Sequence, residues 1–287
     1  MDLKFEPVSP LDYFASLVQS DAHFPLLEAA ASLAQDEEPE LDVQHVLDDV
    51  ERLLKKVMLR MPAEADGLTR LAILHQVFYK DLGFGVNAND YYAPENSYLQ
   101  EVLRTRRGLP ISLAVIWLEL ARGLGLNAQG ISFPGHFLVK VALEDGLVVL
   151  DPLTGESLGV DNLADRLGPY RDDVDWAAGA DLDGGETPLG LYLQACPPRD
   201  WLARMLRNLK EVFRAQEDWP RMLAVLNRLV VLLPEAWDER RDRGLVHAEL
   251  GHTQDALHDL RVYLGAEPAA HDQAALKVRL SELSGDA

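Results

Sequence analysis

The chain is short of several things, and each shortage removes a class of function. It has one cysteine in 287 residues, Cys196. A lone thiol closes no intrachain disulfide and builds no multi-cysteine metal site, which points to a reducing compartment, the cytoplasm. Basic side chains are scarce: 27 Lys+Arg stand against 47 Asp+Glu, a formal charge of −20. A field of that sign repels phosphate backbones and anionic lipid, so neither nucleic acid nor membrane is an expected partner. Long apolar runs are missing too. The most apolar stretch, Leu109 to Leu126, is broken by Glu119 and Arg122 and falls short of the roughly 20 residues of a membrane span. The opening Met1-Asp2-Leu3-Lys4-Phe5-Glu6-Pro7 lacks the basic start and apolar run of a secretory signal. Gly83-Phe84-Gly85 reads as a helix stop rather than a phosphate-binding loop, and no cofactor is expected. His247, His252 and His258 lack His-Glu-x-x-His spacing, so no metal site is expected either.

What is present is a globular composition, 48% hydrophobic and 26% charged, over a length that suggests two domains. Charge divides them at Gly190. Residues 1–190 hold 14 basic and 32 acidic side chains, whereas 191–287 hold 13 and 15. The expected domains are therefore 1–190 and 191–287.

The first hundred residues carry apolar positions at helical spacing. Phe14, Leu17 and Val18 begin the pattern. Val43, Val46, Leu47, Val50, Leu53, Leu54 and Val57 form a stripe over 42–60, with Asp42 placed to cap it and Pro62 to close it. Leu68 to Tyr79 repeats the pattern. A further helix is expected near Ser97–Thr105, and a strongly apolar one from Ser112 to Leu124, stopped by Gly125. From Ala128 the period falls to two. Phe137, Val139 and Val141 alternate with Leu138, Lys140 and Ala142, and Leu147–Leu150 follows a Glu144-Asp145-Gly146 turn, which makes a hairpin. Residues 161–186 lose the apolar pattern and carry eight acidic residues against two arginines, the signature of a solvated connection. Beyond Asp200 the chain is helical again. A shift of 34 superposes Leu223 on Leu257, Leu226 on Leu260, Leu229 on Tyr263 and Pro234 on Pro268. Gly251 falls at the inter-helix turn and Ala256 at a close-packed position. This helix–turn–helix period resembles the tetratricopeptide repeat, flanked by helices over 201–215 and 273–283.

One constellation carries chemistry: Ser112 at a helix start, His136 on a strand and Asp151 after the next strand. A nucleophile at a helix N-terminus gains from free N–H groups, a nearby imidazole can take its proton, and a carboxylate can orient that imidazole. Each residue also has a plainer reading. Serine caps helices well, the histidine can be a structural partner of Asp151, and Asp-Pro starts turns. Asn96 and Arg107 are candidates to line the same cleft.

The order of these residues, within Arg106-Arg107-Gly108, Gly108-x-Pro110-Ile111-Ser112-Leu113, Ala121-Arg122-Gly123-Leu124-Gly125-Leu126, Pro134-Gly135-His136-Phe137 and Leu150-Asp151-Pro152, resembles the transglutaminase-like core. More narrowly it resembles the bacterial SirB-type branch, which joins that core to C-terminal tetratricopeptide repeats. The resemblance spans about 68–158 for the core. It implies an α+β, papain-like fold with a small antiparallel sheet, followed by all-α repeats, and a Cys–His–Asp triad acting on amides. His136 and Asp151 match the triad; Ser112 stands where the cysteine belongs. A thiol near pKa 8.5 ionises readily beside an imidazolium and a serine hydroxyl does not. The leading expectation is thus a non-catalytic interaction or regulatory module whose repeats bind a protein or peptide. The alternative is a serine-dependent hydrolase or acyltransferase using Ser112, His136 and Asp151, and a third possibility is a structural subunit of a larger complex. The acidic surface would steer neutral or cationic peptides towards His136.

Overall fold

The computed structural model describes residues 8–170, 189–267 and 271–285. The opening heptapeptide, most of the acidic connection (171–186) and Pro268 lie outside the described residues. The chain forms two compact units, and neither is a continuous stretch. One comprises 26–31 and 42–201; the other comprises 1–25, 32–41 and 202–287.

The helices are α1 (Pro10–Leu17), α2 (Leu26–Ala31), α3 (Val43–Met58), α4 (Gly67–His75), α5 (Leu99–Thr105) and α6 (Pro110–Gly123). A three-stranded sheet follows: β1 (Asn127–Phe133), β2 (His136–Leu143) and β3 (Gly146–Leu150). Then come α7 (Val160–Leu167), α8 (Leu189–Tyr192), α9 (Pro198–Ala215), α10 (Trp219–Leu232), α11 (Trp237–Glu249), α12 (Thr253–Ala266) and α13 (Gln273–Ser284). None of the described helices is long and apolar enough to cross a membrane.

In the first unit, Asp42 caps α3 as its sequence predicts, accepting from the Gln44 N–H at 2.9 Å. Helix α4 runs on through a π-helical turn, Gln76–Asp81. Helix α6 is the central element: from Ile111 to Ala121 every residue but Glu119 is buried, as expected of a helix that is apolar all round. It packs against β1, β2, α3 and α5. The sheet is antiparallel in the order β1-β2-β3, with Phe133 opposite His136 and Val139 opposite Leu150. The hairpin read from the sequence is therefore β2–β3.

The segment from residue 161, read as solvated connection, begins with a helix instead. Leu163 and Leu167, one turn apart, are buried in α7 against Ile131, Phe133, Leu138 and Val149. Two apolar residues four apart suffice to seat a short helix on a sheet face, even in an acidic stretch. Ser112 is also not a helix cap. The N-cap is Leu109 and Pro110 takes the first helical position, where its fixed φ and missing N–H cost nothing.

The second unit contains the repeats, α10–α11 and α12–α13, with α9 from Leu202 leading them. Ala256 is fully buried, in keeping with its small-residue role. Helix α1 packs on α10. Beside it Arg228, fully buried on α10, reaches Asp36 through Nε at 2.6 Å and Nη2 at 2.7 Å, with its guanidinium 4.8 Å from the Phe14 ring centroid. These contacts explain why residues near the N-terminus fold with the repeats.

Candidate functional site

Helix α6 carries Ser112 at its third residue. Its side chain is 0% exposed, and Oγ has no hydrogen-bond partner among the described residues. Ser112 therefore makes no hydrogen bond to His136. The imidazole begins β2 in an exposed position, directly after the Pro134-Gly135 turn. Gly135 is needed there: its φ is +67°, and a Cβ would come within 2.0 Å of the Tyr170 hydroxyl.

Asp151 follows β3. Because Leu150 lies opposite Val139, continuing the alternation by one residue places Asp151 on the His136–Leu138 face of the sheet. The residue is buried, its side chain 11% exposed, and both carboxylate oxygens are engaged. Oδ1 accepts from the Leu153 N–H at 2.9 Å, and Oδ2 accepts from Arg166 Nη1 at 3.0 Å. The Gly155 N–H returns to the Asp151 carbonyl at 2.7 Å, and Tyr79 donates its hydroxyl to the Pro152 carbonyl at 3.1 Å. Burial, followed by the charge of Asp151, pushes the Tyr79 phenol far up, so it stays a neutral donor. Asp151 thus builds the loop that follows β3.

Asn96 is buried, and its amide donates to the Asp90 and Tyr91 carbonyls at 2.7 and 3.0 Å while its oxygen accepts from Asn87. Arg107 binds the Gly83 and Arg106 carbonyls. Both tie loop backbone together.

An open cleft of about 880 Å³ lies on the same unit, lined by His75, Leu68, Val148, Glu156, Asn162 and Arg166 among others. None of Ser112, His136, Asp151, Asn96 or Arg107 lines it. Arg166 connects it to Asp151. His75 is held below the usual imidazole range, mainly by burial and then by Lys80. His75 and Tyr79 are single residues in a helical pattern and Arg166 falls in the stretch expected to be a solvated connection; only the fold brings them beside the Asp151 loop.

On the other unit, His247 and His252 stand together with Asp255, their ligand atoms all within 4.8 Å of one another. Motif spacing pointed away from any such grouping. The turn between α11 and α12 creates it.

Comparison with known proteins agrees with this architecture. Residues 44–207 match the transglutaminase-like superfamily, and residues 209–281 match the tetratricopeptide repeat. A UPF0162 protein of Xylella fastidiosa (strain Temecula1) is 36% identical over 275 residues, covering 93% of this chain and 92% of its own. A UPF0162 protein of Vibrio cholerae is 28% identical over 268 residues, with coverage of 91% and 93%. The UPF0162 protein YchA of Escherichia coli K12 is 26% identical over 249 residues, with coverage of 84% and 86%. No solved structure matches. The chain belongs to the transglutaminase-like superfamily, with tetratricopeptide repeats following that core along its sequence.

Proposed function

We propose that this chain is a cytoplasmic interaction module in which a transglutaminase-like unit without acyl-transfer activity accompanies repeats that take a protein or peptide partner. The observation that supports this most is the state of Ser112. A serine nucleophile needs a base within hydrogen-bond reach to remove its proton during attack, and it needs contact with substrate. The Ser112 hydroxyl lies inside the core with no partner among the described residues. Asp151, the matching carboxylate, is held by Arg166 and the Leu153 N–H, which suits a loop-building role. The repeats supply the binding side, since stacked helix pairs present extended surfaces suited to peptides and helices. The acidic excess, on residues 1–190, favours neutral or cationic ligands near His136, whereas 191–287, with 13 basic and 15 acidic residues, is close to neutral.

The test is partner capture by the full chain, with photocrosslinking groups placed on exposed positions of α10–α13 and, separately, on exposed positions of α3 and α7. Crosslinks to one partner from the repeats, undiminished in Ser112→Ala, are expected. Crosslinks confined to α3 and α7, or capture abolished by Ser112→Ala, would overturn the reading.

A further inference from the structure

Helix α11 ends in a Schellman motif, the closing turn in which the two residues flanking the stop are folded onto each other. Gly251 takes φ +74°; its N–H donates to the Ala248 carbonyl at 3.2 Å, and the His252 N–H donates to the His247 carbonyl at 2.8 Å. In such turns the side chains at the two positions joined by the outer hydrogen bond commonly meet as an apolar pair. Here both are histidines, and their Nδ1 atoms face one another 3.2 Å apart. Helix α12 starts at Thr253, so Asp255 in its first turn projects to the same corner, with all three ligand atoms within 4.8 Å.

From this geometry we infer that the α11–α12 turn is a binding site for a divalent transition cation of the zinc type, held by His247 Nδ1, His252 Nδ1 and the Asp255 carboxylate. Two imidazole nitrogens about 2.0–2.1 Å from one tetrahedral ion lie roughly 3.3 Å apart, so the pair stands at ligand separation without rearrangement. Each ring then keeps its proton on Nε2 and offers the Nδ1 lone pair. Asp255 is exposed, and a rotamer adjustment of about an ångström completes a set of two nitrogens and one oxygen, which leaves a fourth position open. That donor set selects zinc, nickel, cobalt or copper over magnesium or calcium, which prefer oxygen throughout. The negative end of α11 and the positive end of α12 meet at this corner, so their dipoles offset, and His247 feels the negative charges of Asp255 and Asp259 against the positive charge of Arg243. A cation there would pin the two helices at their shared turn. The inference is independent of whether Ser112 is catalytic.

The experiment is zinc titration of the chelator-treated full chain against a chromophoric competitor, with cobalt substitution to read coordination from the d–d bands. One ion is expected at this site. His252→Ala and Asp255→Ala, both at exposed positions, should each weaken binding by about tenfold or more and abolish tetrahedral cobalt absorption, whereas His258→Ala should leave affinity within about twofold. Equal affinity in all variants, or loss of affinity in His258→Ala as large as in His252→Ala, would overturn the site. So would the absence of zinc binding by the unsubstituted chain.

Discussion

The core serine offers a test by subtraction. Ser112 places a hydroxyl, with no partner among the described residues, inside the most deeply buried helix. A buried polar group left without a hydrogen bond carries about 1–3 kcal/mol of desolvation penalty. Ser112→Ala removes that penalty. It forfeits the dispersion contacts of one oxygen atom, each worth about 0.1–0.2 kcal/mol, and gains slightly in helix propensity. The net expectation is a stabilisation of about 0.5–2 kcal/mol. For a folding unit of this size each kcal/mol moves the midpoint by about 2–4 °C, so Tm should rise by roughly 1–8 °C. Calorimetry would read the midpoint of the unit. Urea unfolding followed by Trp117, buried on the same helix, should show a higher midpoint with unchanged slope. A loss of about 1 kcal/mol or more would refute the reasoning, because it would mean that the hydroxyl is hydrogen-bonded in the native state.

Other expected outcomes follow from the same geometry. Asp151→Ala removes both the Arg166 ion pair and the bond from Leu153; it should cost about 2–3 kcal/mol in urea unfolding, and Asp151→Asn less, since an amide oxygen still accepts from Leu153. Arg228→Lys breaks the two-pronged pair between a buried guanidinium and the partly exposed Asp36 carboxylate and should destabilise the repeat unit by about 2 kcal/mol, measured by chemical unfolding. A fragment of 191–287, which strands Arg228 and lacks α1, should unfold less cooperatively than the same region in the whole chain, read by circular dichroism melts. His75, held down mainly by burial and then by Lys80, binds fewer protons folded than unfolded. Its contribution is full above its ordinary value of 6.5 and falls as pH drops through the lowered native one. The decline in stability from about pH 7 to about pH 5 should therefore be shallower in His75→Gln.

Local patterns were readable wherever neighbours in sequence are neighbours in space. The stripe from Val43 to Val57, the alternation of Phe137 to Val141 and the 34-residue shift between Leu223 and Leu257 all report short-range geometry. Contacts that join distant segments left no such trace. Nothing near Asp36 announces Arg228, 192 residues on, so the grouping of α1 with α10 appears only in the fold. Leu163 and Leu167 are too few to mark a helix in an acidic run, yet a sheet face needs no more. At the candidate site, the motifs picked out Ser112, His136 and Asp151 by type and order. Whether a hydroxyl at Ser112 is reachable depends on how α6 is covered, which is a matter of packing. His247 and His252 carry no ligand motif, because a helix-terminating turn, rather than their spacing on one helix, brings them together.

Labelling by a fluorophosphonate probe tests the central claim most directly, since the reagent reports an accessible serine activated by a base. Whole native chain and Ser112→Ala would be incubated with the probe and the label counted by intact-mass spectrometry. The account predicts no label on either chain. A single adduct on the native chain that disappears in Ser112→Ala would contradict it and establish Ser112 as a working nucleophile.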